Sequence, residues 1–141
     1  MAVSLDNSVR DAGLNDVKNN VTKLVVCKGV PTDYTDAINT PSDAPAGKNV
    51  SGAAGITMAP GDFTLQDRTG GGRELVVAAK TGGTVSHATT NGVDDLHFVL
   101  LDVANTSIKV VNDETSDQSL AVGNPIETPS FKIGMPNSTA V

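Results

Sequence analysis

The chain reads LHFVLLDV at residues 96–103, and this stretch carries the strongest fold signal in the 141 residues. Successive side chains of a β-strand point to opposite faces of its sheet. Apolar side chains then occupy both faces here, with Leu96, Phe98 and Leu100 on one and Val99, Leu101 and Val103 on the other. The pattern predicts a central strand that is covered on both sides.

Short strand candidates separated by turns surround this central stretch. They lie at residues 62–67, 73–80, 84–88, 107–111, 119–122 and 130–135, and in the last of them Phe131, Ile133 and Met135 face inward. Turns are predicted at residues 69–72, 81–83, 91–92, 112–117 and 123–125, where Gly, Asn, Asp and Pro cluster. Six to eight short strands at this spacing predict an all-β sandwich or barrel.

The first 30 residues combine a helix pattern with a strand. Ser4 is a candidate N-cap, and apolar residues follow at helical spacing, namely Leu5, Val9, Ala12, Leu14, Val17 and Val21. Gly13 interrupts this pattern, so one helix or two short ones are predicted. Residues 22–28 predict a strand. This unit either closes the core or forms an arm that docks on a neighbour.

Residues 31–62 separate that unit from a body at residues 63–141, all within a single domain. Four prolines and four glycines interrupt the segment, which leaves one helical turn at residues 33–38 as its only predicted regular element. Such long stretches are functional or disordered. The segment is therefore either a linker or an extended arm or loop that lies on a partner. The candidate partner-binding residues are Pro31, Tyr34, Pro41, Pro45 and Pro60.

Composition excludes several function classes. The net charge of -6 and the scarcity of aromatic residues argue against nucleic-acid binding, which needs positive charge and stacking platforms. No apolar run has the roughly 20 residues that cross a bilayer. The N-terminal residues lack a secretory pattern, and Cys27 is the only cysteine, so we expect synthesis in a cytoplasm and no reliance on a disulfide.

A search for reaction chemistry yields no catalytic, cofactor-binding or metal-binding residue. Cys27 lies in an apolar strand, where a thiol is usually inert. His87 and His97 lack a third ligand at a recognised spacing, and His97 alternates with Leu96 and Phe98, so we expect it to be hydrogen-bonded or exposed. Residues 113–117 are acidic but lack the pattern of a calcium loop, and a solvated turn is expected there.

Much of the chain resembles the capsid cement (decoration) proteins of tailed bacteriophages. The resemblance rests on Asp62-Phe63-Thr64-Leu65, residues 72–78, Gly83-Thr84-Val85-Ser86, residues 96–102, residues 119–124 and residues 129–133. It extends to the strand that ends at Cys27 and the following Pro31-Thr32-Asp33-Tyr34.

This resemblance implies a jelly-roll-like β fold without enzymatic activity. It implies attachment to the outside of a capsid shell, with the major capsid protein and a second or third copy of the chain as partners. The alternative is a receptor- or carbohydrate-binding β module of a phage tail or fibre. The shortage of aromatic platforms weighs against that alternative, since only Tyr34 lies outside the predicted core strands.

Overall fold

The structure is a computed structural model that describes residues 5–137. This part of the chain contains two α-helices and nine strands, with a 3-10 turn at Pro60–Asp62. In chain order they are α1 (Asn7–Asn20), β1 (Lys23–Lys28), α2 (Tyr34–Ile38), β2 (Ile56–Thr57), β3 (Phe63–Asp67), β4 (Gly72–Val77), β5 (Lys80–Thr84), β6 (Leu96–Asp102), β7 (Ser107–Asp113), β8 (Pro125–Thr128) and β9 (Phe131–Pro136). The fold is mostly β, as the sequence predicts.

Three antiparallel sheets form the body of the protein. The largest has the strand order β2-β1-β6-β7, the second β3-β4-β9 and the smallest β5-β8. The main core draws side chains from all three, including Leu24, Val26, Phe98 and Leu100 of the largest sheet, Leu75 and Val77 of the second, and Ile126 of the smallest. A second, smaller core lies on the other face of the largest sheet, where α2 covers Val25, Val99 and Leu101.

Strand β6 is the central strand that the sequence predicts. It pairs with β1 on one side and β7 on the other, and all seven of its residues are buried. Its two faces supply the two cores, with Phe98 and Leu100 in the main core and Val99 and Leu101 in the second. Val103 departs from the prediction, because β6 ends at Asp102 and Val103 is exposed in the turn to β7.

Helix α1 is one continuous helix, which corrects the prediction that Gly13 could divide it. Its N-cap is Asp6, whose carboxylate accepts a hydrogen bond from the Ser8 N–H at 2.8 Å, while the predicted cap Ser4 lies outside the described residues. Gly13 has a packing role, since a Cβ at this position would lie 2.8 Å from Met135 Cε of β9. The helix can therefore approach the second sheet closely.

The buried face of α1 differs from the predicted one at its N-terminal end. Leu14 and Val17 are buried as predicted, but Val9 is exposed and Arg10 takes a buried position in its place. The described part of the N-terminal unit, residues 5–30, thus closes the core of its own domain.

Residues 31–62 also pack on their own domain, whereas the sequence predicts either a linker or an extended arm or loop that lies on a partner. Val50, Ile56 and Met58 belong to the main core. The backbone follows the edge of β1 that does not pair with β6, where the Val50 N–H donates to the Val26 carbonyl at 2.8 Å and Ile56 pairs with Leu24. The predicted helical turn is confirmed as α2. The segment is a packed loop and not a free arm.

A buried polar cluster holds this loop in place. Asn49 is fully buried, and its amide group donates to the carbonyls of Ile38 and Gly52 at 3.0 and 2.9 Å. Its side-chain oxygen accepts from the Ser51 N–H and hydroxyl, and Ser51 Oγ in turn accepts from the Val26 N–H of β1 at 3.0 Å. Buried polar groups that are all hydrogen-bonded specify one conformation, because leaving any of them unpaired is costly.

Two strand boundaries differ from the prediction. Strand β5 runs through residues 81–83, where a turn is predicted, and residues 85–88 lie outside it. A bulge between Gly82 and Thr84 explains the glycines, since a Cβ at Gly83 would lie 3.1 Å from the Gly55 carbonyl oxygen. Residues 119–122 form no strand, and β8 begins at Pro125 instead, which places Ile126 in the core.

Within the described chain, no helix is long and apolar enough to cross a membrane.

Candidate functional site

The five predicted partner-binding residues do not form one surface. Pro31 is buried and Tyr34 is half-buried against the second core. Pro41 is half-buried and Pro45 exposed in the loop after α2, whereas Pro60 is exposed at the start of the 3-10 turn before β3. Of these five residues only Pro45 and Pro60 are exposed, and they lie in two separate loops.

A concave groove lies beside β6. Its volume is about 470 Å³, and its floor is formed by Val26 of β1 with Leu96 and Phe98 of β6. Apolar groups also line its sides, namely Leu120, Pro125, Ile126 and Pro129. We call this feature the β6–β8 groove. It lies between the largest sheet and the segment around β8, which belongs to a separate two-stranded sheet.

The rim of the β6–β8 groove is polar and acidic. Glu114, Ser116, Gln118 and Glu127 line it, and no lysine or arginine does. An apolar floor with a carboxylate rim suits an apolar side chain flanked by a basic one. Phe98 is the only aromatic ring in the lining, so the groove offers no exposed platform on which a sugar could stack. The sequence pattern does not predict this groove. It places residues 119–122 in a strand, whereas Leu120 lies outside any strand and lines the groove.

Cys27 lies directly opposite His97 in the pairing of β1 with β6. The thiol is fully buried, and it donates a weak hydrogen bond to the Ala37 carbonyl with a sulfur–oxygen distance of 3.6 Å. Burial, with a further contribution from the charge of Asp36, raises the pKa of the Cys27 thiol to about 12. A thiol that stays protonated is a poor nucleophile. The inert behaviour predicted from the sequence therefore has a physical cause.

The two histidines occupy separate environments. His87 follows β5 and is half-buried, and its two ring nitrogens lie 2.7 Å from Ser42 Oγ and 3.0 Å from Ser86 Oγ. His97 is buried in β6, and its Nδ1 lies 3.2 Å from the Asp95 carbonyl oxygen. It is therefore hydrogen-bonded rather than exposed.

Two carboxylates face His97, and no recognised ligand spacing in the sequence predicts them. Asp95 lies two residues before it, and Asp113 lies opposite it in the pairing of β6 with β7. An Asp-x-His pattern on a strand was visible in the sequence. The second carboxylate was not, because only the register of β7 brings Asp113 beside His97.

Comparison with known proteins yields no relative. No family model, curated protein or solved structure matches this chain.

Proposed function

We propose that the protein is a virion structural protein that binds the outside of a bacteriophage capsid shell and stabilises it. In this role it acts by binding rather than by catalysis. Its partners are the major capsid protein and further copies of itself, as a dimer or trimer. The resemblance of its sequence to capsid cement proteins motivates the proposal.

The structural observation that carries the proposal is that most side chains in the C-terminal third of the chain are not buried by the rest of the domain. Between residues 103 and 137, only Ile126 and Thr128 are buried. Strands β7, β8 and β9 all lie at sheet edges in the described structure. An open strand edge is a template for pairing with another chain. These strands offer both backbone edges and half-covered apolar side chains to a neighbour.

Strand β7 is the best candidate for contact between copies of the chain. It is seven residues long, pairs with β6 along one edge only, and exposes Val111. Two such edges could pair across a two-fold axis, which is the commonest symmetry of homo-oligomers. Self-association also multiplies the number of shell contacts per particle and raises avidity.

The β6–β8 groove is the best candidate for contact with the shell. Its apolar floor and acidic rim favour a capsid segment that presents an apolar side chain beside a lysine or arginine. The protein's net charge of -6 would attract such a basic segment over a distance. A ligand that binds the assembled shell but not the free subunits stabilises the shell by mass action.

We extend the proposal to a jelly-roll-like β-sandwich. This part of the proposal is supported by the order in which consecutive strands belong to the different sheets. Strands β1 and β2 lie in the largest sheet, β3 to β5 in the two smaller sheets, β6 and β7 in the largest again, and β8 and β9 in the smaller two. Alternation between two packed layers is typical of double-sheet jelly rolls.

Co-sedimentation with capsids of its own phage that lack decoration protein tests the proposal. We expect the wild-type protein to sediment with the shells at a fixed, saturable stoichiometry. Glu127→Lys, which reverses a charge on the groove rim, should weaken binding by roughly tenfold or more, as expected for the loss of about 1.4 kcal/mol. Asp67→Lys is the control, because it makes the same charge change on β3 at a residue that does not line the groove, and the ion pair with Arg73 that it removes is solvent-exposed at the carboxylate and contributes little to stability.

The possible results test two claims separately, namely that the protein binds shells and that the β6–β8 groove makes the contact. Failure of the wild-type protein to bind the shells would overturn the proposed function. Binding that Glu127→Lys and Asp67→Lys leave equally intact would overturn only the assignment of the groove. Binding to host-surface glycans in place of shells would support the receptor-binding alternative.

A further inference from the structure

Three potential metal ligands meet where β6 begins and β7 ends. They are Asp95, immediately before β6, His97 within β6, and Asp113, the last residue of β7. His97 Nε2 lies 3.9 Å from Asp95 Oδ2 and 4.0 Å from Asp113 Oδ1. All three donor atoms lie within 4.8 Å of one another. None of the three residues lines the β6–β8 groove, and only Asp113 belongs to the edge strand β7 invoked above.

The orientation of His97 leaves one ring nitrogen directed at the carboxylates. Its Nδ1 lies 3.2 Å from the Asp95 carbonyl oxygen, and since a carbonyl only accepts hydrogen bonds, Nδ1 carries the proton. In the neutral ring Nε2 therefore keeps its lone pair. Histidines that bind metals usually donate their other N–H to a carbonyl or carboxylate, which fixes the ring as it is fixed here.

The Nε2 atom forms no hydrogen bond with the described residues and keeps some contact with solvent, within a side chain that is only 6% exposed. Its distances to the two carboxylates exceed the 2.7–3.2 Å range of an N–H···O hydrogen bond. The spacing leaves room between the three groups.

We propose that Asp95, His97 and Asp113 form a binding site for a divalent first-row transition ion, with Zn²⁺ as the reference ion. One imidazole nitrogen and two carboxylate oxygens are ligands that Zn²⁺ accepts, at distances of about 2.0–2.2 Å. Two donors at tetrahedral angles around such an ion lie roughly 3.4 Å apart. The two imidazole–carboxylate distances must therefore shorten by roughly half an ångström, and the distance between the two carboxylate oxygens, which is within 4.8 Å, by at most about 1.4 Å.

The two aspartates can make this adjustment because their side chains are exposed. Asp95 is 61% exposed and Asp113 is 64% exposed, whereas the imidazole is held by the core. Two carboxylates also balance the charge of a divalent ion. Because the carboxylates face solvent, water can complete the coordination. The bound ion would link the start of β6 to the end of the edge strand β7.

Isothermal titration of the chelator-treated full chain with zinc chloride tests the site. We expect one ion per chain. Asp95→Asn and Asp113→Asn should each weaken binding by at least roughly tenfold, because even outer-shell partners of metal ligands contribute about 10–100-fold. Both changes lie at exposed positions, so the variants should fold. His97→Gln should abolish binding.

Matched controls distinguish this site from general binding of zinc to surface groups. Asp67→Asn removes an exposed carboxylate outside the cluster and outside the β6–β8 groove, and His87→Gln removes the other imidazole. Both should bind one zinc with wild-type affinity. Zinc should also raise the melting temperature of the wild-type protein, EDTA should reverse the rise, and Asp113→Asn should not show it.

Three results would overturn the proposal. The first is the absence of one-to-one zinc binding by the folded wild-type chain. The second is wild-type affinity in both Asp95→Asn and Asp113→Asn. The third is an equal loss of affinity in the His87→Gln control, which would locate the ion elsewhere.

Discussion

Replacing Val50 with alanine should destabilise the protein, because the loop that carries it is part of the core. Val50 is fully buried in the main core. Its N–H donates to the Val26 carbonyl and its carbonyl accepts from the Ser86 N–H, both at 2.8 Å. The substitution leaves these backbone bonds in place and removes two buried methyl groups.

The expected loss in free energy of unfolding is about 1.5–3 kcal/mol. Two methyl groups account for roughly 1.6 kcal/mol at about 0.8 kcal/mol each, and the cavity that remains adds to this. Val30→Ala is the matched control, because this valine is 58% exposed just before the loop. Its change should stay within about 0.5 kcal/mol. Urea denaturation followed by circular dichroism measures both values.

Equal, small effects of Val50→Ala and Val30→Ala would refute the reasoning, since they would mean that the loop does not contribute to the folded core. Hydrogen exchange on the free protein provides a second test. The Val50 amide should be strongly protected without any partner. Rapid exchange at this amide would indicate an arm that is ordered only on binding.

Two further predictions concern ionisable groups. Because the Cys27 thiol is buried and its pKa is raised to about 12, iodoacetamide should label it only after unfolding, and fast stoichiometric labelling of the native protein would contradict this. Burial tends to raise the pKa of Asp36, but hydrogen bonds from Lys48 and the Thr32 N–H outweigh it and lower that pKa below its ordinary 3.8. The unfolded chain then binds the proton more tightly, so the contribution of Asp36 is complete above about pH 3.8 and is lost as the pH falls below it. Urea titrations across pH 2–6 should show a weaker acid dependence for Asp36→Asn, and an unchanged dependence would contradict the assignment.

The sequence alone predicted the elements whose signal is local. The alternation of apolar residues at 96–102 placed β6 at the centre of a sheet, and the same logic predicted the inward face of β9. The helical spacing of Leu14 and Val17 predicted the core-facing part of α1. In each case the side-chain period of the element matches the period in the sequence, so no distant contact is needed to read it.

Tertiary pairing decided the features that lack such a period. The loop at residues 31–62 reads as unstructured, yet it is fixed by hydrogen bonds of Asn49 and Ser51 to β1 and its neighbours. Glycines that predict a turn lie in β5, because a bulge and a close backbone approach need them there.

The candidate metal site likewise depends partly on local sequence and partly on tertiary pairing. The sequence contains Asp95 and His97 two residues apart, but Asp113 joins them only through the pairing of β6 with β7. That pairing contains a bulge between Leu100 and Leu101, which changes the register along the hairpin. Because a one-residue shift in register moves every side chain of a strand to the opposite face, the fold and not the spacing in the chain decides which carboxylate faces His97.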